Sequence, residues 1–200
     1  MVKVPEIICS RCGRFHDIPP FGGLEITCQD CRRKPLLLNR MRASLRYAEP
    51  TSSIIHRFKY EGLFALAEPL ARFLIDGWPA WSQPPDLMLP IPLHPRRMRR
   101  RGYNQSELLA RPLGKAKGIP TEPELLRRTR HTMPQVGLGP DERHDNVRGA
   151  FTADASGVRG RHVLLIDDVL TTGATMSAAA EALLDAGAAS VAAYCLARVS

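Results

Sequence analysis

Val163, Leu164, Leu165 and Ile166 form an uninterrupted apolar run that ends abruptly in two carboxylates, Asp167 and Asp168. The run is too short for a helix core and suits a strand buried on both faces, as in a parallel sheet. Asp86 to Leu93 (DLMLPIPL) and Val191 to Ala197 repeat the pattern. Pro90 and Pro92 would break a central ladder, so the first of these is expected to stop near Leu89 and pass into a rigid loop. A short strand from Leu45 precedes Thr51, Ser52 and Ser53, each a candidate cap for a helix with Ile54, Ile55 and Phe58 on one face and Tyr60, Glu61 and Gly62 at its close. A second helix is expected over Phe64 to Ile75, with Pro69 demanding an early-turn position or a kink. A third begins at Asn104 or Ser106, with Leu108 and Leu109 inward. An alanine-rich helix runs from about Thr175 to Ala186 and is capped by Gly187. Strands alternating with helices predict an open parallel α/β sheet.

Two segments do not fit this alternation. His94 to Gly102 holds five arginines within six positions (Arg96, Arg97, Arg99, Arg100, Arg101) and reads as a basic loop following a strand. Such a loop is either solvated, or bound to nucleic acid, or aimed at a diphosphate, for which guanidinium geometry is suited. In the last case Arg96 and Arg97 are the candidates. Leu125 to Phe151 is polar and punctuated by proline and glycine, and carries Arg127, Arg128, Arg130, Thr132, Gln135, Arg143 and Asn146. A connection of that length is either disordered or a working lid, and the chemistry inferred below favours the lid.

Composition adds limits. At 44% hydrophobic and 24% charged residues, the 200-residue chain is that of an ordinary globular protein. No stretch approaches the ~18 apolar residues of a membrane span, and Met1 to Ser10 lacks a signal-peptide core, so a cytoplasmic location is expected. A net charge of +8 points to polyanionic partners, without choosing between diphosphate-bearing small molecules and nucleic acid. Four of the five cysteines form two pairs, Cys9 with Cys12 and Cys28 with Cys31, separated by fifteen residues. This is the spacing of a tetrahedral zinc site, and zinc is the expected metal in a reducing cytosol; disulfides and an iron–sulfur cluster are the alternatives. Gly22, Gly23 and the alternating Leu24 to Thr27 suggest a hairpin that needs its metal to fold. His16 reads as a surface residue, and Cys195 as a buried strand residue. The expected division is a ribbon over 1–42 and an α/β domain over 43–200.

The segment after Asp168 carries the chemistry. Thr171, Thr172, Gly173, Ala174 and Thr175 place a tight turn and three hydroxyls at a helix N-terminus, where backbone N–H groups and the dipole favour an anion. Two adjacent carboxylates would repel that anion unless they hold ribose hydroxyls, a divalent cation, or both. A phosphorylated sugar meets both demands, provided that the turn amides are unpaired and the aspartates are not turned into the interior.

VLLIDDVLTTGAT, Val163 to Thr175, resembles the phosphoribosyl pyrophosphate (PRPP) signature of type I phosphoribosyltransferases. Together with the cysteine ribbon, IPLHPRR, RGYNQSELLA, and the stretch from RTRHTMPQ to DERHDNVRGAF, it makes the whole chain similar to the ComF (competence protein F) family. The resemblance implies a zinc ribbon fused to a type I phosphoribosyltransferase domain that binds PRPP with Mg2+. Asp167 and Asp168 would meet the ribose 2′- and 3′-hydroxyls as the catalytic pair, and Thr171 through Thr175 the 5′-phosphate. Thr171 stands where enzymes for 6-oxopurines often have an acid, which speaks against a hypoxanthine or guanine acceptor. Members of the family are linked to DNA uptake and to companion helicases, so a non-catalytic module for single-stranded DNA or a helicase, retaining a PRPP pocket, is the rival expectation.

Overall fold

The computed structural model describes residues 7–15, 26–33, 35–132 and 140–199, with the side chains of 140, 141, 143 and 144 excepted. The expected apolar runs become strands of a four-stranded, wholly parallel sheet, two of them central and one at an edge. β1 (Met41–Arg46), β2 (Leu87–Pro90), β5 (His162–Leu170) and β6 (Ser190–Arg198) lie in the spatial order β1-β6-β5-β2. The in-register pairs Leu89↔Leu165 and Leu165↔Ala193 lock β5 between its neighbours.

Both faces of the sheet are covered, which is why β5 can be apolar at successive positions. Val163 and Leu165 pack into a core with Ala179 and Leu183 of α8 (Ala174–Asp185). Leu164 and Ile166 point the other way. They meet Ile55 and Phe58 of α2 (Thr51–Tyr60), Leu70 and Leu74 of α3 (Ala67–Asp76), and Leu109 and Leu113 of α5 (Gln105–Lys117). A 3-10 turn, Phe64–Leu66, leads into α3 and leaves Pro69 in the first turn, where its missing N–H costs nothing. Cys195 is fully buried in β6.

The structure corrects several local expectations. None of Thr51, Ser52 or Ser53 caps α2; the cap position is Pro50, and no side chain bonds there. The Ser52 and Ser53 hydroxyls instead donate to the Glu49 carboxylate, and these bonds hold it below its usual pKa. Of the expected inward pair on α5, Leu109 is buried while Leu108 is only partly so. β2 runs one residue further than expected, through Pro90, which an edge strand tolerates.

The arginine stretch is a helix rather than a loop. α4 (Pro95–Arg101) starts on His94, whose Nδ1 accepts the Arg96 amide at 3.2 Å, has Pro95 in its first turn, and ends on Gly102 at φ +84°. The polar composition conceals a cap, a first-turn proline and a C-terminal glycine.

The described parts of the long polar connection form regular elements as well. A 3-10 turn, Pro123–Leu125, leads into β3 (Leu126–Arg128), which pairs antiparallel with β4 (Phe151–Ala153), Arg128 opposite Phe151. α6 (Pro140–Val147) lies between these strands in sequence, and α7 (Ala155–Val158) follows β4. Strands of three residues are too short to show alternation.

In the N-terminal region Ile8 bridges Phe15 in antiparallel fashion, and α1 (Gln29–Arg33) carries Cys31. Gly13 adopts φ +71° against the sheet, where a Cβ would stand 2.6 Å from the Met41 carbonyl oxygen. The expected hairpin lies outside the described residues except at Ile26 and Thr27, as do His16 and Gln135. The 42/43 boundary falls within β1.

Candidate functional site

The site is built on the C-terminal end of β5, where the sheet stops and open parallel sheets bind ligands. Asp168 is 2% exposed. One of its oxygens is 3.0 Å from the Lys59 Nζ, and the other is buried without a partner among the described residues. Asp167 is less enclosed. Its Oδ1 accepts the Ser106 hydroxyl at 2.7 Å and the Asp168 amide at 2.9 Å. Burial and the neighbouring Asp168 charge push the Asp167 carboxyl up to about 7, against the opposing effects of Ser106 and Lys59. Burial pulls the Lys59 ammonium down, but Asp168 and Asp167 outweigh it and leave its pKa raised.

The turn after β5 is open. Among the described residues no acceptor is found for the amides of Thr171, Thr172 and Gly173, while the Ala174 amide reaches the Thr172 Oγ1 at 3.3 Å. Gly173 takes φ +84°, which turns the chain into α8 beside the Met41 side chain. Asp167, Thr171, Gly173, Ala174 and Thr175 share a shallow hollow of about 30 Å³. Among the described residues, then, the turn amides are open and Asp167 is only half-buried. Asp168 instead faces inward onto a lysine.

A second cavity, of about 210 Å³, opens on the other side of that lysine, between the end of α2 and α4. Lys59, Arg97, Arg100 and Arg101 line it with Tyr60 and Tyr103. Arg101 stacks over the Tyr60 ring, 5.2 Å from its centroid. The Tyr103 hydroxyl donates to the Phe58 carbonyl oxygen. Arg97 also donates to the Thr132 carbonyl oxygen at 2.9 Å. Burial, then the charges of Arg101 and Arg100, lower its pKa. Of the two arginines singled out in the sequence, Arg97 joins the cavity, and Arg96 is exposed outside its lining.

Lys59, Ser106 and Arg128 escaped the sequence reading as site residues. Arg128 is 7% exposed, lies over Phe151 and donates to the Thr132 hydroxyl at 2.5 Å. Burial, with Arg97 nearby, brings its pKa down to about 10.

At the far side of β1 the four N-terminal cysteines are buried, and their sulfurs all lie within 4.8 Å of one another. None is in a disulfide. The Cys12 and Cys28 sulfurs are 3.7 Å apart, close to the ~3.8 Å separating two thiolates on one tetrahedral zinc. The Cys28 amide donates to the Cys9 sulfur at 3.3 Å. Burial raises the Cys9 thiol, yet this and neighbouring amide donors bring it down to about 6. The donor set fits a metal ion.

Sequence comparison matches the phosphoribosyl transferase domain family over residues 115–200. DNA utilization protein YhgH of Escherichia coli O157:H7 is 34% identical over 201 residues, covering 98% of this chain and 86% of that protein. Competence protein F of Haemophilus influenzae is 33% identical over 206 residues, with 96% and 90% coverage. Among solved structures, the glutamine PRPP amidotransferase of B. subtilis has a TM-score of 0.42 at 22% identity, covering 68% of this chain, which spans about a quarter (26%) of the enzyme's length. Among the described residues no helix is long and apolar enough to cross a membrane.

Proposed function

The chain belongs to the ComF (competence protein F) family of phosphoribosyltransferase-like proteins, and we propose that it binds PRPP with Mg2+ and transfers the ribosyl 5-phosphate group to a nitrogen nucleophile, releasing pyrophosphate. The observation that carries this reading is the sequence of groups along β5 and its turn: a carboxylate pair, then three amides without an acceptor among the described residues, leading into a twelve-residue helix. In this reading Thr171 to Thr175 hold the 5′-phosphate, and Asp167 and Asp168 the ribose hydroxyls. Arg97 contacts the diphosphate, whereas exposed Arg96 remains the weaker candidate.

Asp167 and the unpartnered oxygen of Asp168 are the groups that suit Mg2+. The ion would supply positive charge against the departing pyrophosphate. The chain itself orients the sugar, excludes water from C1′ with the 125–151 segment as lid, and neutralises the leaving group with arginines. Zn2+ in Cys9, Cys12, Cys28 and Cys31 would be structural, and the cytoplasm is the compartment in which such thiolates persist.

Calorimetry tests the reading. Mg2+-dependent PRPP binding is expected in the wild type and should weaken roughly tenfold or more in Asp168→Asn, since a charged hydrogen-bonding partner is lost. Equal affinity would remove the aspartates from the site. Pyrophosphate release with a panel of bases and amines tests turnover.

One observation favours a second reading, a non-catalytic module for single-stranded DNA or a helicase. Arg96, Arg99 and Arg100 are exposed together on α4, a face suited to phosphate backbones. A salt-sensitive shift with single-stranded DNA, lost on neutralising Arg99, Arg100 and Arg101, would support it.

A further inference from the structure

Lys59 belongs to two places at once. Its Nζ is 3.0 Å from Asp168, and its side chain is also part of the cationic cavity wall with Arg97, Arg100 and Arg101. Among the described residues none of those three arginines has a carboxylate partner. Four like charges line about 210 Å³ and repel one another. The one carboxylate touching the group is Asp168, through Lys59 alone. Among the described residues no ion pair links the cavity's cations to any carboxylate but Asp168, and Lys59 is shared between that carboxylate and the cavity wall.

We propose that Lys59 is a ligand-binding residue for a diphosphate group seated in this cavity, and that its move from Asp168 to the diphosphate frees Asp168 for the sugar or its cation. The proposal rests on the PRPP reading of the site and adds a residue to it. A diphosphate brings several negative oxygens to four cations and two tyrosines, and the Lys59 ammonium, able to rotate on its stem, reaches either partner. Loading the cavity and opening the carboxylate pair become one event.

Inorganic pyrophosphate and ribose 5-phosphate, titrated separately into the full-length protein, test this by calorimetry. Wild type should bind both. Lys59→Met should weaken pyrophosphate roughly tenfold or more and leave ribose 5-phosphate unchanged or tighter, because Asp168 is already released. Lys59→Arg should recover most of the pyrophosphate affinity. A lysine that merely props Asp168 would lower both ligands together, and that result, like unchanged pyrophosphate binding, overturns the proposal. If Lys59→Met does not fold, the Lys59 side-chain NMR signal of the wild type should move with pyrophosphate and not with ribose 5-phosphate; a still signal overturns it. A wild type that binds pyrophosphate but not ribose 5-phosphate leaves the cavity assignment standing and removes the PRPP reading. A wild type that ignores pyrophosphate removes the Lys59 proposal.

Discussion

Asp167 combines a half-buried position with a pKa near neutrality, and the sign of its effect on stability follows from that. In the unfolded chain its carboxyl titrates near 3.9; in the fold, burial and Asp168 push it up to about 7. Between those values the native state holds more protons than the unfolded one, so this residue's contribution falls as pH rises from 4 to 7 and is flat above. Asp167→Asn keeps an acceptor for Ser106 and removes the penalty. It should raise stability at pH 7.5 by on the order of 2 kcal/mol, with no gain at pH 4, as read from urea midpoints at the two pH values. An equal gain at both would mean that Asp167 ionises normally in the fold. At this scale the sequence showed the acids and the turn because they are neighbours along one strand and its exit. Ser106 lies 61 positions from Asp167, and Lys59 lies on a different helix. No local pattern distinguishes a lysine that turns toward a buried carboxylate from one that faces water.

Among the elements, α5 controls the site most directly, because its first turn delivers Ser106 to Asp167. Asn104 starts this helix with two bonds: its Oδ1 accepts the Ser106 amide at 3.1 Å, and its Nδ2 donates to the Ile91 carbonyl at 3.1 Å. Asn104→Ala loses the cap and orphans a buried carbonyl, so a loss of about 2 kcal/mol is expected. Asn104→Ser keeps a capping hydroxyl and loses the donor to Ile91, and should cost roughly half as much. Equal losses in urea unfolding would mean that the cap contributes nothing. Strands β5 and β6 were legible because burial on both faces writes a continuous apolar run. α4 was hidden because none of its residues is buried and most are arginine, so composition masked the His94 cap and the Gly102 stop. β3 and β4 are held by pairing with each other, a non-local fact that three residues cannot encode.

Across the whole molecule, the cysteine cluster and the sheet share one core. Cys9, Cys12, Cys28 and Cys31 pack in the same buried group as Met41, Cys195 and the inner face of α8. Backbone bonds reinforce this, with the Met41 amide on the Arg11 carbonyl at 2.7 Å, and the Arg42 guanidinium reaches the Ser10 carbonyl at 2.9 Å. Met41 also lies against Gly173, so the cysteine segment and the turn after β5 lean on one side chain. The cysteine spacing announced a metal, but nothing in it announced where the cluster would dock. Metal removal should therefore act on the entire chain. With a strong zinc chelator, calorimetric unfolding is expected to remain a single transition displaced downward by several degrees, because binding free energy is folding free energy in a shared core. The chelated protein should also bind ribose 5-phosphate more weakly, as the loss of Met41 support loosens the turn at Gly173. A separate low-temperature transition, with the main one unmoved and ribose 5-phosphate affinity intact, would mean that the ribbon folds apart from the sheet.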